Sequence, residues 1–120
     1  MSLPSLNDLS PYYKRVELIQ QTADQIIKDF GMYGYSITFT GNAYTAYNEL
    51  SSQLISWLTH IYEKEPLKVA ELLYRIDLPE QKTDRLQVES KADFYTELAD
   101  RIIKRELQKV VVRNYFKGNL

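Results

Sequence analysis

One stretch constrains the fold of this chain more than any other: residues 42–65, NAYTAYNELSSQLISWLTHIYEKE. Its apolar residues fall at Ala43, Tyr47, Leu50, Leu54, Trp57 and Ile61, in alternating steps of four and three. That spacing keeps one seam of an α-helix turned toward a partner. Leu58 and Tyr62 widen the seam on one flank. A helix of roughly 22 residues runs about 33 Å, the diameter of a small domain. Such a helix owes most of its stability to burying that face, so other helices must cover it.

The rest of the chain supplies them. Ser10-Pro11 pairs a cap residue with a proline suited to a first helical position, which predicts a helix over 11–30. Its seam reads Tyr12, Val16, Ile19, Ala23, Ile26 and Phe30, with Leu18 and Ile27 outside it and Gly31 as a left-handed stop. Glu65-Pro66 breaks the central helix, because a residue before proline avoids helical geometry. A shorter helix then carries Val69, Leu72, Leu73 and Ile76 on one face over 67–76, with Glu71 and Arg75 at ion-pair spacing on another. Ser90 to Asp93 resembles a capping box and opens a last helix over 91–113. Its early face is Phe94, Tyr95, Leu98, Ala99 and Ile102. Later the face rotates to Ile103, Leu107, Val110 and Val111, which implies two different neighbours along its length. Residues 80–89 are polar and read as a loop or one short helical turn, and residues 1–9 as an extended arm whose Leu3, Leu6 and Leu9 touch a surface.

Residues 32–41, MYGYSITFTG, alternate Tyr35, Ile37 and Phe39 with Ser36, Thr38 and Thr40, the period of a half-buried extended segment. No second strand exists to pair with it, so the segment reads as an ordered aromatic crossover loop. A strand paired with its copy in a second subunit is the alternative. The expected architecture is therefore all-α: one helical domain over 1–120, a compact bundle of three long helices plus one shorter helix.

Composition removes several chemistries. The chain has no cysteine, so disulfides, thiolate metal sites and cysteine nucleophiles are out, and a cytoplasmic location is the expectation. No apolar run approaches the roughly 20 residues of a membrane span. His60 is the only histidine, with Glu63 three residues on. One such pair is half of a bundle metal site at best. Gly34-Tyr35-Ser36 lacks the second glycine of a nucleophile elbow, and no glycine-rich phosphate loop follows a strand. No catalytic, cofactor-binding or metal-binding residue is predicted, and no cofactor.

Two features point to binding. The first is the aromatic crossover: Tyr33, Tyr35, Phe39, Tyr44 and Tyr47 fall within fifteen residues, in a chain with ten tyrosines. Such a group either closes a bundle end or lines a pocket or partner surface, a small-molecule site under Tyr33, Tyr35 and Phe39 being one form. The second is a ribbon of Arg101, Arg105, Lys109 and Arg113, each four apart. Residues 101–117 carry six basic side chains against Glu106 alone, a net +5 in a chain of net −1. Phosphates of a nucleic acid would use such a ribbon, but the pI of 5.8 argues against that partner. Pairing with the acidic 77–97 region is the structural alternative.

LLYRIDLPE at 72–80 and ADFYTELADRIIKRELQKVVVRNYF at 92–116 resemble a set of small bacterial helical proteins of uncharacterised function. The resemblance covers the C-terminal half, implies a helical fold and attaches no activity. Within it Arg75 and Asp77 stand beside a helix end, where a charged pair often fixes the turn. The sequence thus predicts a non-enzymatic module for protein interaction or self-association, a homodimer included. Nucleic-acid binding and a small-molecule pocket are the alternatives.

Overall fold

Among the described residues the chain forms four α-helices, three of them close to where the apolar spacing places them. The computed structural model describes residues 9–13, 15–78 and 90–120. The helices are α1 (Val16–Gly31), α2 (Ala46–Lys64), α3 (Leu67–Ile76) and α4 (Lys91–Phe116), and the described residues contain no strand. The longest, α4, packs along both α1 and α2, and the short α3 touches all three others. Of the expected arm over 1–9 only Leu9 is described, and it is buried, while the loop or helical turn expected over 80–89 lies outside the described residues.

The first helix starts later than Ser10-Pro11 suggests. Ser10–Tyr12 forms only a 3-10 turn, with Tyr12 N–H donating to Leu9 O at 2.9 Å. Arg15 is then extended, and α1 begins at Val16. The reason is the placement of Leu9, which packs with Leu18, Leu107, Val110 and Val111 in a small core of its own. The buried face of α1 shifts accordingly. Leu18 and Thr22 go inside with Ala23, Ile26, Asp29 and Phe30, while Val16 is exposed.

The stop is also displaced. Gly31 is the last residue of α1, and the left-handed position is Gly34, at φ 83°. Gly34 N–H donates to Gly31 O and Tyr35 N–H to Phe30 O, the paired bonds of a Schellman motif. α3 ends the same way with Asp77 at φ 67°: Asp77 N–H donates to Tyr74 O and Leu78 N–H to Leu73 O. In both motifs the residue after the left-handed one, Tyr35 or Leu78, is buried against the main core. The chain is thereby turned into the core rather than away from it.

That core gathers Leu50, Leu54, Leu58 and Ile61 of α2 against Ala23, Ile26 and Phe30 of α1. All four predicted residues of α3 join it, with Tyr95, Leu98, Ala99, Ile102 and Ile103 of α4. Each fully buried large side chain contributes roughly 1.5–3 kcal/mol. The central helix is three residues shorter than about 22, because residues 43–45 form a turn before Ala46. Ser90 caps α4, its side chain accepting from Asp93 N–H at 3.2 Å. The valines near its end do not fray it: Val110 and Val111 are fully buried, and packing overrides their weak helix propensity.

The crossover explains its own alternation. Three residues of α2, each four apart, bind alternate residues of the loop in reverse order. Trp57 Nε1 donates to Ser36 O at 2.9 Å. The Gln53 amide accepts from Thr38 N–H at 2.9 Å and donates to Thr38 O at 2.8 Å. Glu49 accepts from Thr40 N–H at 3.0 Å and Thr40 Oγ1 at 2.8 Å. Four helical residues rise about 6 Å and two extended residues about 6.6 Å, so the two repeats stay in step. Side chains of a helix here do the work of a neighbouring strand. Tyr35 and Ile37 face the core as a result.

Candidate functional site

α4 serves two cores, and the site lies where it passes from one to the other. Ile103 belongs to the main core and Leu107 to the small one. Between them opens a cleft of about 410 Å³. Ile19 and Thr22 of α1, Ala43, Ala46, Tyr47 and Leu50 at the start of α2, and Ile103 and Leu107 of α4 line it. Tyr13, Asp100 and Lys104 complete the wall. Three facing positions, Thr22, Ala43 and Ala46, carry short side chains that cannot fill the space between the helices. The only hydroxyl among those three is occupied: Thr22 Oγ1 donates to Leu18 O at 2.7 Å. The interior is therefore apolar, within the usual 300–1,000 Å³ of ligand pockets.

The polar groups are gathered at the rim and fixed there. Tyr47 Oη donates to Asp100 Oδ1 at 2.6 Å, and Lys104 Nζ donates to Asp100 Oδ2 at 2.9 Å. Partial burial and the Asp100 carboxylate push the Tyr47 hydroxyl well above the ordinary tyrosine range, so it keeps its proton. The hydrogen bond to Asp100 likewise raises Lys104, which stays a cation. Tyr44 stands nearby in sequence and is 97% exposed.

The predicted aromatic surface divides. Tyr33, Tyr35 and Phe39 close the bundle and do not line the cleft. Tyr35 packs on Trp57 with ring centroids 4.9 Å apart and donates its hydroxyl to Glu65 at 3.0 Å. Burial first, and then that bond, push the hydroxyl up to about 12. Tyr33 donates to Glu71 O at 3.3 Å. The cleft therefore lies beside Tyr47 and Tyr13 and not under Tyr33, Tyr35 and Phe39. Spacing could not have found it, because its walls come from three helices distant in sequence.

The predicted basic ribbon is largely spent inside the fold. Arg105 pairs with the Asp77 carboxylate, donates to Asp77 O at 3.0 Å and to Gln108 at 2.6 Å. Lys109 donates to Glu106 at 2.8 Å and to Ile76 O at 3.3 Å, with Asp29 Oδ2 at 3.8 Å. Arg113 reaches Gln25 at 3.5 Å, and Arg101 is half-buried. Among the described residues of the 77–97 region, Asp77 pairs with Arg105. Arg75 does not pair with Glu71 but with Asp29, at 3.1 Å. His60 lies 3.2 Å from Glu65 rather than meeting Glu63.

A second polar cluster went unpredicted. Glu106 and Asp29 are 0% and 2% exposed, and Glu106 Oε2 and Asp29 Oδ2 lack a donor from any other group. Burial first, then the Asp29 carboxylate as hydrogen-bond partner, push Glu106 up to about 8 against the pull of Lys109. That shift favours the protonated form of Glu106, for which the Asp29 carboxylate would be the acceptor. The signal was present in the sequence, since Ile102, Glu106 and Val110 share one seam. Among the described residues no group of three or more His, Asp or Glu side chains gathers to hold a metal, and no helix is long and apolar enough to cross a membrane.

Comparison with known proteins assigns the chain to none of them: no family model matches it, and no curated protein or solved structure does. The functional reading rests on its own geometry.

Proposed function

We propose that this chain is a non-catalytic binding module, and that the cleft between α1, α2 and α4 is its working surface. The observation that carries this is the cleft's build. Short side chains leave an apolar space of about 410 Å³, and a hydrogen-bonded Tyr47–Asp100–Lys104 rim stands at its mouth. A bundle that needed only stability would fill such a space, since side chains lining an unfilled apolar cleft forgo packing contacts. The absence of cysteine fits work in the cytoplasm. The basic ribbon supports nucleic-acid binding less well, because Arg105 and Lys109 already have carboxylate partners.

Ala43 sits in the turn before α2 and lines the cleft without being core. An Ala43→Trp substitution fills the space and leaves the helices alone. Medium-chain apolar compounds raise the melting temperature of the wild type and not of this variant. Equal shifts in both proteins contradict the assignment.

A second reading is favoured by the outer face of α3. Leu67 and Tyr74 are 90% and 85% exposed and lie two turns apart on it. This stripe suits self-association. Light scattering after size exclusion tests it: a species twice 14.1 kDa supports the reading, and a monomer at all concentrations removes it.

A further inference from the structure

The rim has an electrostatic property that selects among ligands, and this inference rests on the cleft being the binding site. Asp100 and Lys104 oppose each other at 2.9 Å, so the charge at the mouth is compensated within the protein. Both partners keep hydrogen-bonding capacity. Lys104 has three N–H donors and uses one on Asp100. Tyr47 gives its only proton to Asp100, which leaves its oxygen as an acceptor. A group that can both accept and donate fits between Lys104 and the Tyr47–Asp100 oxygens.

A charged head group does not fit as well. A carboxylate placed on Lys104 stands against Asp100, and Glu97 is close enough to act on Lys104 and Tyr47. An ammonium placed on Asp100 stands against Lys104, which its surroundings hold as a cation. Either ion would also shed hydration at the edge of an apolar space, where losing it is costly. A hydroxyl pays neither penalty. We infer that the cleft takes an uncharged amphiphile: a linear or compact apolar body with one hydroxyl-type head at Lys104 and Tyr47. At about 30 Å³ per water-sized group, the space holds roughly ten to fourteen heavy atoms.

The test is isothermal titration of the wild-type protein at pH 7 with three chains of one length: 1-octanol, octanoate and octylamine. Octanol binds at least about tenfold more tightly than either ion, a difference of about 1.4 kcal/mol. Two substitutions at the exposed rim then move the preference in opposite directions. Asp100→Asn leaves Lys104 uncompensated and brings octanoate to the front. Lys104→Met leaves Asp100 uncompensated and brings octylamine to the front. Wild-type preference for either ion overturns the inference, as does a ranking that neither substitution changes. If none of the three chains binds the wild type, the cleft reading falls as well, and the two failures are thereby told apart.

Discussion

Helix α4 carries two carboxylate–lysine pairs of opposite character, six residues apart. Asp100 and Lys104, at i and i+4, meet at the rim of the cleft, with side chains 27% and 41% exposed. Glu106 and Lys109, at i and i+3, meet in the interior, and Glu106 has no exposure at all. The two pairs are built from the same types of side chain and their surroundings differ, which leaves Asp100 a carboxylate and pushes Glu106 toward its neutral form. Water reaches the first pair, which contributes under about 1 kcal/mol to stability and remains free to meet a ligand. In the second the carboxylates of Glu106 and Asp29 are closed off while Lys109 and Arg75 reach them from the edge, and the cluster ties α1, α3 and α4 together.

Removing one carboxylate from each region sharpens the contrast. Asp29→Ala strips Arg75 and Lys109 of a nearly buried partner and lowers stability by about 3 kcal/mol in urea unfolding. Asp100→Ala lowers it by less than about 1 kcal/mol. Similar losses at both positions would break the comparison.

The pH dependence follows from Glu106. Its folded-state value of about 8 stands above the 4.5 of an unperturbed glutamate, so between those limits the folded chain holds a proton that the unfolded chain has released. Stability contributed by that proton is fully present below about pH 4.5. It is lost progressively as the pH rises toward 8, at about 1 kcal/mol per pH unit. Glu106→Gln cannot ionise and keeps a donor for Asp29, so this part of the slope disappears. Urea unfolding of both proteins from pH 5 to 8 checks it, and parallel curves count against a protonated Glu106. Asp100→Asn, at the solvated pair, leaves the slope in place.

The smallest effect concerns Asp77, which partners the next basic residue along α4, Arg105. Asp77→Gly relieves a left-handed backbone at a non-glycine position and at the same time deletes the ion pair. The two changes nearly cancel, to within about 0.5 kcal/mol. A loss of several kcal/mol would mean that the Asp77–Arg105 pair acts as part of the buried cluster.

How far the sequence could be read depended on the range of the interaction. Val69, Leu72, Leu73 and Ile76 were legible because one helix period decides them. The rotation along α4 was legible too, although it grouped Ile103 with Leu107, and the structure keeps Ile103 in the main core. The start of α1 was not, because the break at Arg15 serves Leu9, which packs on residues nearly 100 positions away. The crossover showed its period without its partner, since the groups that bind it are side chains of Glu49, Gln53 and Trp57. Glu106 was counted as a charge in a basic stretch, although its seam with Ile102 and Val110 already placed it inside. The cleft depends on Thr22, Ala43 and Ala46 facing one another, and no spacing within a segment records that.

The central claim is that the cleft is a binding site and not a packing defect. Amide chemical-shift mapping of the isotope-labelled protein titrated with 1-octanol tests it most directly. Saturable shifts centred on Ile19, Ala46, Leu50, Ile103 and Leu107, and absent around the Asp29–Glu106 cluster, are the predicted result. Shifts that never saturate, or that centre on the outer face of α3 instead, would contradict it.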